Sequence, residues 1–311
     1  MVQGFLTIAT GDLKYYKLAR TLLRSYRQTC SSPMRFAILA DRQNEYTSEF
    51  DDVVILDTPY RSWMDKMQLL KYCPYDENIF IDADCIIYHD INYLWNLFKN
   101  ADDFSCFGKA MPLDSQEGWF TSEAKEIYPI HFITHLHGIM YFIRKGEMID
   151  RMDQLCQEII ANYNTISYKA FNEIIADEPI YALAMAVLNL KPIERKPEYY
   201  CFVPYATMIK TDYYNKKVTY CNPTDGRVEK CDIVHWGNIN ITKHKYMFDA
   251  HIINYFAENH DGGESLHNLL LYKLKMLNSY YCLQDYWRFS NEKISWFFER
   301  VSVKLTGKER R

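Results

Sequence analysis

Two aspartates interrupt an apolar run of the sequence. Asp82 and Asp84 lie within residues 78–88, whose sequence NIFIDADCIIY is otherwise mostly apolar and predicts a buried central strand. Residues i and i+2 of a strand point to the same face, so the two carboxylates would lie about 7 Å apart. Buried like charges are costly unless a cation offsets them. The run therefore predicts a hard divalent ion, Mg²⁺ or Mn²⁺, bound by carboxylate oxygens and a phosphate.

The alternative for this triplet is a solvated turn. A lone Asp-x-Asp is a weak signal, because such triplets occur by chance in acidic chains. The flanking Ile-Phe-Ile and Cys-Ile-Ile segments argue against a turn, since turns are rarely this apolar on both sides. A metal or nucleotide site is the favoured interpretation.

Composition and charge exclude several classes of function. The chain has 311 residues, of which 48% are hydrophobic, enough to bury a large α/β core. Its formal net charge of −4 provides no basic field, so nucleic acid is not expected as a partner. The amino terminus lacks the features of a signal peptide, and no apolar stretch reaches the roughly 18 residues of a spanning helix. We therefore expect a cytoplasmic protein.

The spacing of the cysteines and glycines argues against two further kinds of site. The nine cysteines include no Cys-x-x-Cys pair and are expected to be reduced core residues, although Cys221 and Cys231 could face each other across a hairpin. The sequence contains neither of the common glycine-rich phosphate loops. Phosphate recognition must come from another feature.

Strand and helix patterns alternate along the first ninety residues. Strands are predicted at residues 5–10, 35–41 and 53–57, and helices at 14–26 and 63–73. This order predicts a mainly parallel sheet with helices on both faces, in which ligands bind beyond the carboxyl ends of the strands. Polar segments fall at four such ends: Thr10-Gly11-Asp12, Ala40-Asp41, Asp57-Thr58 and Asp82-Ala83-Asp84.

The order of these elements, the Asp82-Ala83-Asp84 triplet and the preceding Asp65-Lys66 pair resemble the GT-A glycosyltransferases. The resemblance is closest to the family of glycogenin and the bacterial lipopolysaccharide galactosyl- and glucosyltransferases (glycosyltransferase family 8-like), and spans about residues 4–247. It implies an α/β, GT-A (Rossmann-like) fold with a mixed, mainly parallel sheet flanked by helices. Residues 1–247 would form the nucleotide-sugar-binding and catalytic domain, and residues 248–311 a helical C-terminal extension.

The resemblance also implies an activity. It implies metal-dependent transfer of a hexose from a nucleotide sugar, expected to be UDP-hexose, to a glycan or glycoconjugate acceptor with retention of configuration. Mn²⁺ or Mg²⁺ would be the cofactor, bound by Asp82, Asp84 and His235. The donor would contact Ala9, Thr10, Tyr15, Lys66 and Asp82.

The resemblance also assigns two later positions. A lone histidine that ends a strand is more often a surface residue, and only the resemblance makes His235 a metal ligand. The family has a lysine about six residues after this histidine that neutralises the leaving diphosphate. Position 241 is Ile, so Lys243, or else Lys245, would take that role.

The sequence departs from the family at two further places. His137 stands where the family has an amide beneath the donor sugar, and we expect it to contact the sugar, whereas His131 and His135 are expected to be structural or to line the acceptor site. Asp177-Glu178 stands where the family has an Asp-Gln pair that opens a helix. Asp177 would cap a helix over residues 178–190, or it would hold sugar hydroxyls or lie behind the reacting face of the sugar.

Two segments are candidates for acceptor and membrane contacts. Residues 111–131 form an acidic and aromatic insertion, in which Trp119, Phe120 and Tyr128 would stack on sugars or anchor the loop. Residues 292–311 predict a basic, aromatic helix that would either lie peripherally on the inner face of a membrane or dock onto the core.

Two other functions remain open. A nucleotidyltransferase also needs a doubly wound sheet and acidic metal ligands, but no glycine-rich basic loop follows the first strand. A catalytically silent glycan-binding or scaffold protein would keep the fold and lack tight metal-dependent nucleotide binding. The Asp82, Asp84 and His235 set argues against the silent alternative.

Overall fold

One six-stranded sheet organises the part of the chain that the computed structural model describes, residues 1–115, 122–163, 175–204, 206–222, 225–237 and 240–258. The strands are β1 (Gln3–Ala9), β2 (Arg35–Ala40), β3 (Asp52–Ile55), β4 (Glu77–Ile81), β5 (Cys85–Ile87), β6 (Phe104–Met111), β7 (Ile133–Arg144), β8 (Tyr200–Phe202), β9 (Thr207–Asp212), β10 (Lys217–Cys221), β11 (Val228–Glu229) and β12 (Ile233–His235). The helices are α1 (Leu13–Thr29), α2 (Leu69–Tyr72), α3 (Leu94–Phe98), α4 (Glu147–Ala161), α5 (Asp177–Val187) and α6 (His244–Glu258). Short 3₁₀ turns cover Thr47–Glu49, Trp63–Gln68, Ser122–Glu126 and Asn240–Thr242.

The main sheet is mixed and mainly parallel. Its order is β3-β2-β1-β4-β7-β6, with β3, β2, β1 and β4 parallel and with β7 antiparallel to both β4 and β6. Two smaller sheets, β5-β12-β8 and β9-β10-β11, contain three strands each. The predicted α/β class with a mainly parallel sheet flanked by helices is confirmed.

Both faces of the main sheet are apolar because helices cover both. Alternate residues of a strand point to opposite faces. Phe5 and Ile79 belong to the core that contains α1 and α3, whereas Leu6 and Phe80 belong to the core that contains α2, α4 and α5. The apolar runs of β1 and β4 follow from this double burial.

The predicted single strand over residues 78–88 is wrong. β4 ends at Ile81, residues 82–84 form a turn in which the Cys85 N–H donates to the Asp82 carbonyl (3.1 Å), and β5 continues in a different sheet. Each flank of the turn is apolar because each is buried in its own sheet, so the argument that apolar flanks exclude a turn also fails. The predicted helix at 63–73 is likewise a 3₁₀ segment followed by α2.

Both sheets hold this turn through the backbone. The Asp82 N–H donates to the Ile139 carbonyl of β7 (3.0 Å), and the Trp236 N–H, just after β12, donates to the Asp84 carbonyl (3.2 Å). The turn therefore lies at the junction of the main sheet with the β5-β12-β8 sheet.

The cysteines are free throughout the described residues, as predicted, and all of these except Cys221 are buried. Cys221 pairs with Val228 in the β10–β11 hairpin, whereas the Cys231 thiol interacts with Cys201. The alternative in which Cys221 faces Cys231 is wrong because Cys231 lies beyond β11, at the approach to β12. Cys282 lies outside the described residues.

Helix α6 runs across the predicted domain boundary at 247/248 and packs on α1. Ile252 and Ile253 are fully buried, and the Arg24 guanidinium donates to Asn254 (2.9 Å) and Glu258 (2.7 Å). The division into two domains stays a prediction, because residues 259–311, including the expected basic terminal helix, lie outside the described part. Of the helices in that part, none is both long and apolar enough to cross a membrane.

A buried carboxylate attaches α6 to the smaller sheets, which predicts the effect of removing it. Asp249 is fully buried and accepts from the Tyr88 hydroxyl (2.6 Å) and the Tyr213 N–H (3.2 Å). Asp249→Ala leaves two buried donors unsatisfied, and we expect it to lower the free energy of unfolding by about 2–4 kcal/mol in urea denaturation. The exposed Asp225→Asn is the control and should change it by less than about 0.5 kcal/mol. Equal effects of the two variants would contradict this role.

Candidate functional site

A cavity of about 1170 Å³ opens where β1 and β4 of the main sheet end and meet the β5-β12-β8 sheet. Nine predicted site residues line it: Ala9, Thr10, Tyr15, Lys66, Asp82, Asp84, His137, Asp177 and His235. Lys243 lies exposed just before α6, and the Lys245 ammonium donates to the Ile209 carbonyl (2.7 Å). The diphosphate role of Lys243 stays a prediction.

The turn after β4 and the end of β12 bring two carboxylates and an imidazole together. Antiparallel pairing places His235 opposite Cys85, directly beside the turn. The His235 Nε2 atom lies 3.0 Å from Asp84 Oδ1 and 3.6 Å from Asp82 Oδ2. The predicted convergence of these three side chains is therefore present, although the two aspartates belong to a turn and not to one strand.

Lys66 joins the same cluster from the 3₁₀ segment before α2. Its Nζ lies 2.8 Å from Asp82 Oδ1 and 3.6 Å from Asp177 Oδ2, and it donates to the Gly138 carbonyl (3.1 Å). One ammonium thus contacts the turn after β4, the first residue of α5 and the backbone of β7.

Burial and neighbouring charges shift the pKa values of the groups in this cluster. Burial raises the pKa of Asp82 to about 6, although Lys66 and His235 oppose this shift. Burial alone would raise the pKa of Asp84, but the adjacent His235 holds it below its ordinary value. Burial likewise disfavours the charged forms of His235 and Lys66, yet the neighbouring carboxylates raise the pKa of both groups.

The cluster has more acidic than basic groups. Asp82, Asp84, Asp177 and Glu178 line the cavity with only Lys66 and His235 beside them as cationic partners among the described residues of the cluster. Burial and Asp177 raise the pKa of Glu178 to about 7, as expected where negative charges are incompletely compensated. A divalent cation would supply the missing positive charge.

The donor set fits a hard divalent ion. Neighbouring ligands of an octahedral ion at about 2.1 Å lie about 3 Å apart, close to the 3.0 Å and 3.6 Å separations between His235 and the two aspartates. The Cys85 thiol lies in the same neighbourhood, but burial raises its pKa well above the ordinary value. Carboxylate and imidazole atoms are thus the available ligands, which suits Mn²⁺ or Mg²⁺.

The predicted capping role of Asp177 is wrong. Ala176 is the N-cap of α5, Asp177 is its first residue, and the helix ends at Val187. The Asp177 carboxylate accepts from the Tyr141 hydroxyl (2.7 Å) and faces Lys66, because these polar groups approach from the cavity side. Asp177 is therefore part of the buried cluster.

Glu178 is a site residue that the sequence analysis missed. Its Oε1 atom accepts from the Gly138 N–H (2.6 Å), and a Cβ at position 138 would lie 2.6 Å from that oxygen. Position 138 must therefore be glycine for the Glu178 carboxylate to come this close to the backbone of β7. The adjacent acidic pair at the start of α5 was visible in the sequence, but only the packing of α5 on β7 shows that both carboxylates turn into the cavity.

Asp65 and Asp41 hold the other wall, and their roles were also missed. Asp65 is buried and accepts from the Thr10 hydroxyl (2.5 Å) and the Tyr60 N–H (2.6 Å). Asp41 accepts from the Tyr16 hydroxyl and from Arg61 Nε (3.0 Å). Asp65 thus connects residue 60 to the end of β1, and Asp41, which follows β2, connects to residue 61.

Histidines and aromatic rings line the far end of the cavity. His137 Nδ1 hydrogen-bonds the Tyr200 hydroxyl, and the rings of His135 and His137 lie 5.6 Å apart. His135 lines the cavity and His131 is exposed. Tyr128 is buried in the core and is a packing anchor, whereas Trp119 and Phe120 lie outside the described residues.

A scan against protein-family models finds no match, and neither does a search of the curated proteins. Among solved structures, the apo bifunctional glycosyltransferase WbbM is similar over 81% of this chain and 49% of its own, with 12% identity and a TM-score of 0.48. The galactosyltransferase LgtC, as an active-site mutant and in complex with donor and acceptor sugar analogs, is similar over 82% of this chain and 95% of its own, with 10% identity and a TM-score of 0.49. The chain thus spans about half the length of WbbM and nearly all of LgtC.

The environment of His137 predicts a pH dependence of stability. Burial, together with the neighbouring His135 and Arg195, lowers the pKa of His137 to about 4. The folded state favours the neutral ring, so this contribution is complete above about pH 6.5 and is lost as the pH falls towards 4. Between pH 6.5 and 4, we expect the free energy of unfolding of His137→Gln to fall by about 2–3 kcal/mol less than that of the unmodified protein. Urea denaturation at a series of pH values measures the difference.

The exposed His131→Gln is the control for this measurement. It should keep the steeper pH dependence of the unmodified protein. An unchanged slope in His137→Gln would show that folding does not lower the pKa of His137.

Proposed function

We propose that this chain is a metal-dependent glycosyltransferase that transfers a hexose from UDP-hexose to a glycan or glycoconjugate acceptor, with retention of configuration. The supporting observation is the convergence of Asp82, Asp84, His235 and Lys66 in one cavity at the carboxyl ends of β1 and β4. The cavity exceeds the roughly 300–1,000 Å³ typical of small-molecule sites, which leaves room for two substrates.

The ion and the diphosphate belong at the acidic cluster. Asp82, Asp84 and His235 would hold Mn²⁺ or Mg²⁺, which when bound supplies Lewis-acid stabilisation to a diphosphate leaving group. Lys66 holds Asp82 in place and brings a second positive charge to the same point. Because the cluster is buried, these charges act in a medium of low polarity, where they interact more strongly than in water.

The remaining donor contacts belong at the end of β1. Ala9 and Thr10 end this strand and Tyr15 follows in the first turns of α1, all lining the cavity. The hydrogen bond from Thr10 to Asp65 orders this wall before any ligand binds. Such preorganisation lowers the entropy lost on binding a nucleotide.

Proton exchange with the acceptor is a role for Glu178. This carboxyl group lines the cavity, and its pKa of about 7 lets both protonation states be populated near neutral pH. Groups of this kind suit general acid–base work at a hydroxyl. Retention of configuration is carried over from the family resemblance, and the anomeric proton coupling of the product in NMR tests it.

Nucleotide binding is the first test of the proposal. We expect UDP with Mn²⁺ to raise the melting temperature by several degrees, and GDP, CMP and TDP to raise it less, because a ligand that binds the folded state stabilises it by mass action. EDTA should remove the effect. If none of the four nucleotides stabilises the protein, the catalytically silent glycan-binding alternative replaces the enzyme proposal.

A variant pair tests the acidic cluster itself. Asp84→Ala should lower the rate of UDP release from UDP-hexose by about 10²-fold or more while leaving the fold intact. The control is Asp76→Asn, which changes an exposed carboxylate just before β4, at the opposite end of the strand from the turn, and should keep full activity. Full activity in Asp84→Ala would overturn the mechanism.

A further inference from the structure

The far end of the cavity is built around a guanidinium. Arg195 lies in the connection between α5 and β8 and lines the cavity together with His137 of β7 and Tyr200 of β8. The wall is continuous with the acidic cluster, since β8 pairs with β12 and the Phe202 ring stacks on His235 at 4.7 Å. The two ends of the cavity are therefore adjacent regions of one site with opposite charge.

Aromatic residues, and not carboxylates, hold Arg195 in place. Its guanidinium carbon lies 4.9 Å from the centre of the Tyr200 ring, and Nη2 donates to the Tyr220 hydroxyl (2.9 Å). The Nε–H is buried and has no hydrogen-bond partner among the described residues. These contacts fix the position of the group and leave its charge uncompensated.

Other partly buried arginines of this fold are neutralised. Arg24 forms ion pairs with Glu49 and Glu258, and Arg144 does so with Glu77 and Asp103. Within the described ranges, Arg195 has no carboxylate at ion-pair distance. A guanidinium that is held rigidly, lines a cavity and keeps donors unused is suited to bind an anion in a bidentate manner.

Basic side chains of β6 and β7 lie beside the His137 ring. Lys109 of β6 pairs with His135 of β7, and His135 and His137 point to the same face of that strand. The groups that act on the His137 ring are His135, Arg195 and Lys109, and each disfavours its protonation. Of these groups, the Arg195 guanidinium is permanently charged, and a bound anion would offset that charge.

We propose that the Arg195, His137 and Tyr200 end of the cavity is the acceptor subsite and binds an anionic group, a phosphate or a carboxylate, carried by the acceptor glycan or glycoconjugate. This inference rests on the proposed function, because the acidic cluster at the other end is assigned to the donor. The donor diphosphate is the competing source of an anion, and the experiment must separate the two.

The test measures binding directly by calorimetry, with glucose 6-phosphate and glucuronate as anionic probes and glucose as the uncharged probe. Each is titrated with and without saturating UDP and Mn²⁺. The unmodified protein should bind both anionic probes at least about ten-fold more tightly than glucose, and UDP should not displace them. Selectivity without nucleotide can be measured even if the donor proposal fails.

Three variants locate the interaction. Arg195→Gln should remove the preference for anions and leave the UDP affinity unchanged, Arg195→Lys should keep part of the preference, and the exposed Arg227→Gln is the control that should keep all of it. Circular dichroism and melting temperatures establish that each variant is folded. Equal binding of glucose and the anions, or an unchanged preference in Arg195→Gln, would overturn the inference. Loss of UDP affinity in Arg195→Gln, or displacement of the anions by UDP, would instead assign Arg195 to the donor phosphates.

Discussion

The junction of two sheets at the Asp82–Asp84 turn determines the rest of the site. The main sheet holds the turn through Ile139, and the β5-β12-β8 sheet holds it through Trp236. Because the strands on both sides of the turn are buried, its carboxylates are only 14% and 18% exposed, and neighbouring groups must offset most of their charge. Lys66 and His235 meet it in part, and the cavity forms where these groups converge.

The elements that depend on local pattern were predictable from sequence. Continuous apolar runs identified β1, β2 and β4, and helical spacing identified α1, because each is buried on the face that its pattern marks. The positions of polar residues at strand ends also placed Thr10 and Asp82 at one edge. The apolar pattern does not show where the chain changes sheet. Residues 78–88 are apolar on both sides of the turn because β4 and β5 are each buried in a different sheet.

The missed parts of the site depend on contacts between distant segments. Asp177 resembled a helix cap because capping is a local preference, yet Tyr141 and Lys66 draw its carboxylate into the cluster. Glu178 could be identified as a site residue only from the packing of α5 against Gly138 in β7. His235 was ambiguous as a single residue and became interpretable only through its pairing with β5.

The pairing of β5 with β12 has a consequence for the order of folding. Cys85 and His235 are partners across about 150 intervening residues, whereas β1, β2 and β3 pair within the first fifty-five positions. Closing a long loop costs more chain entropy, and contacts of large sequence separation slow folding. The cavity wall at the end of β1 can thus assemble early, while the imidazole reaches the aspartates only after most of the chain has collapsed. A partly folded chain would expose the acidic turn without its histidine, so ion affinity would report completion of the fold.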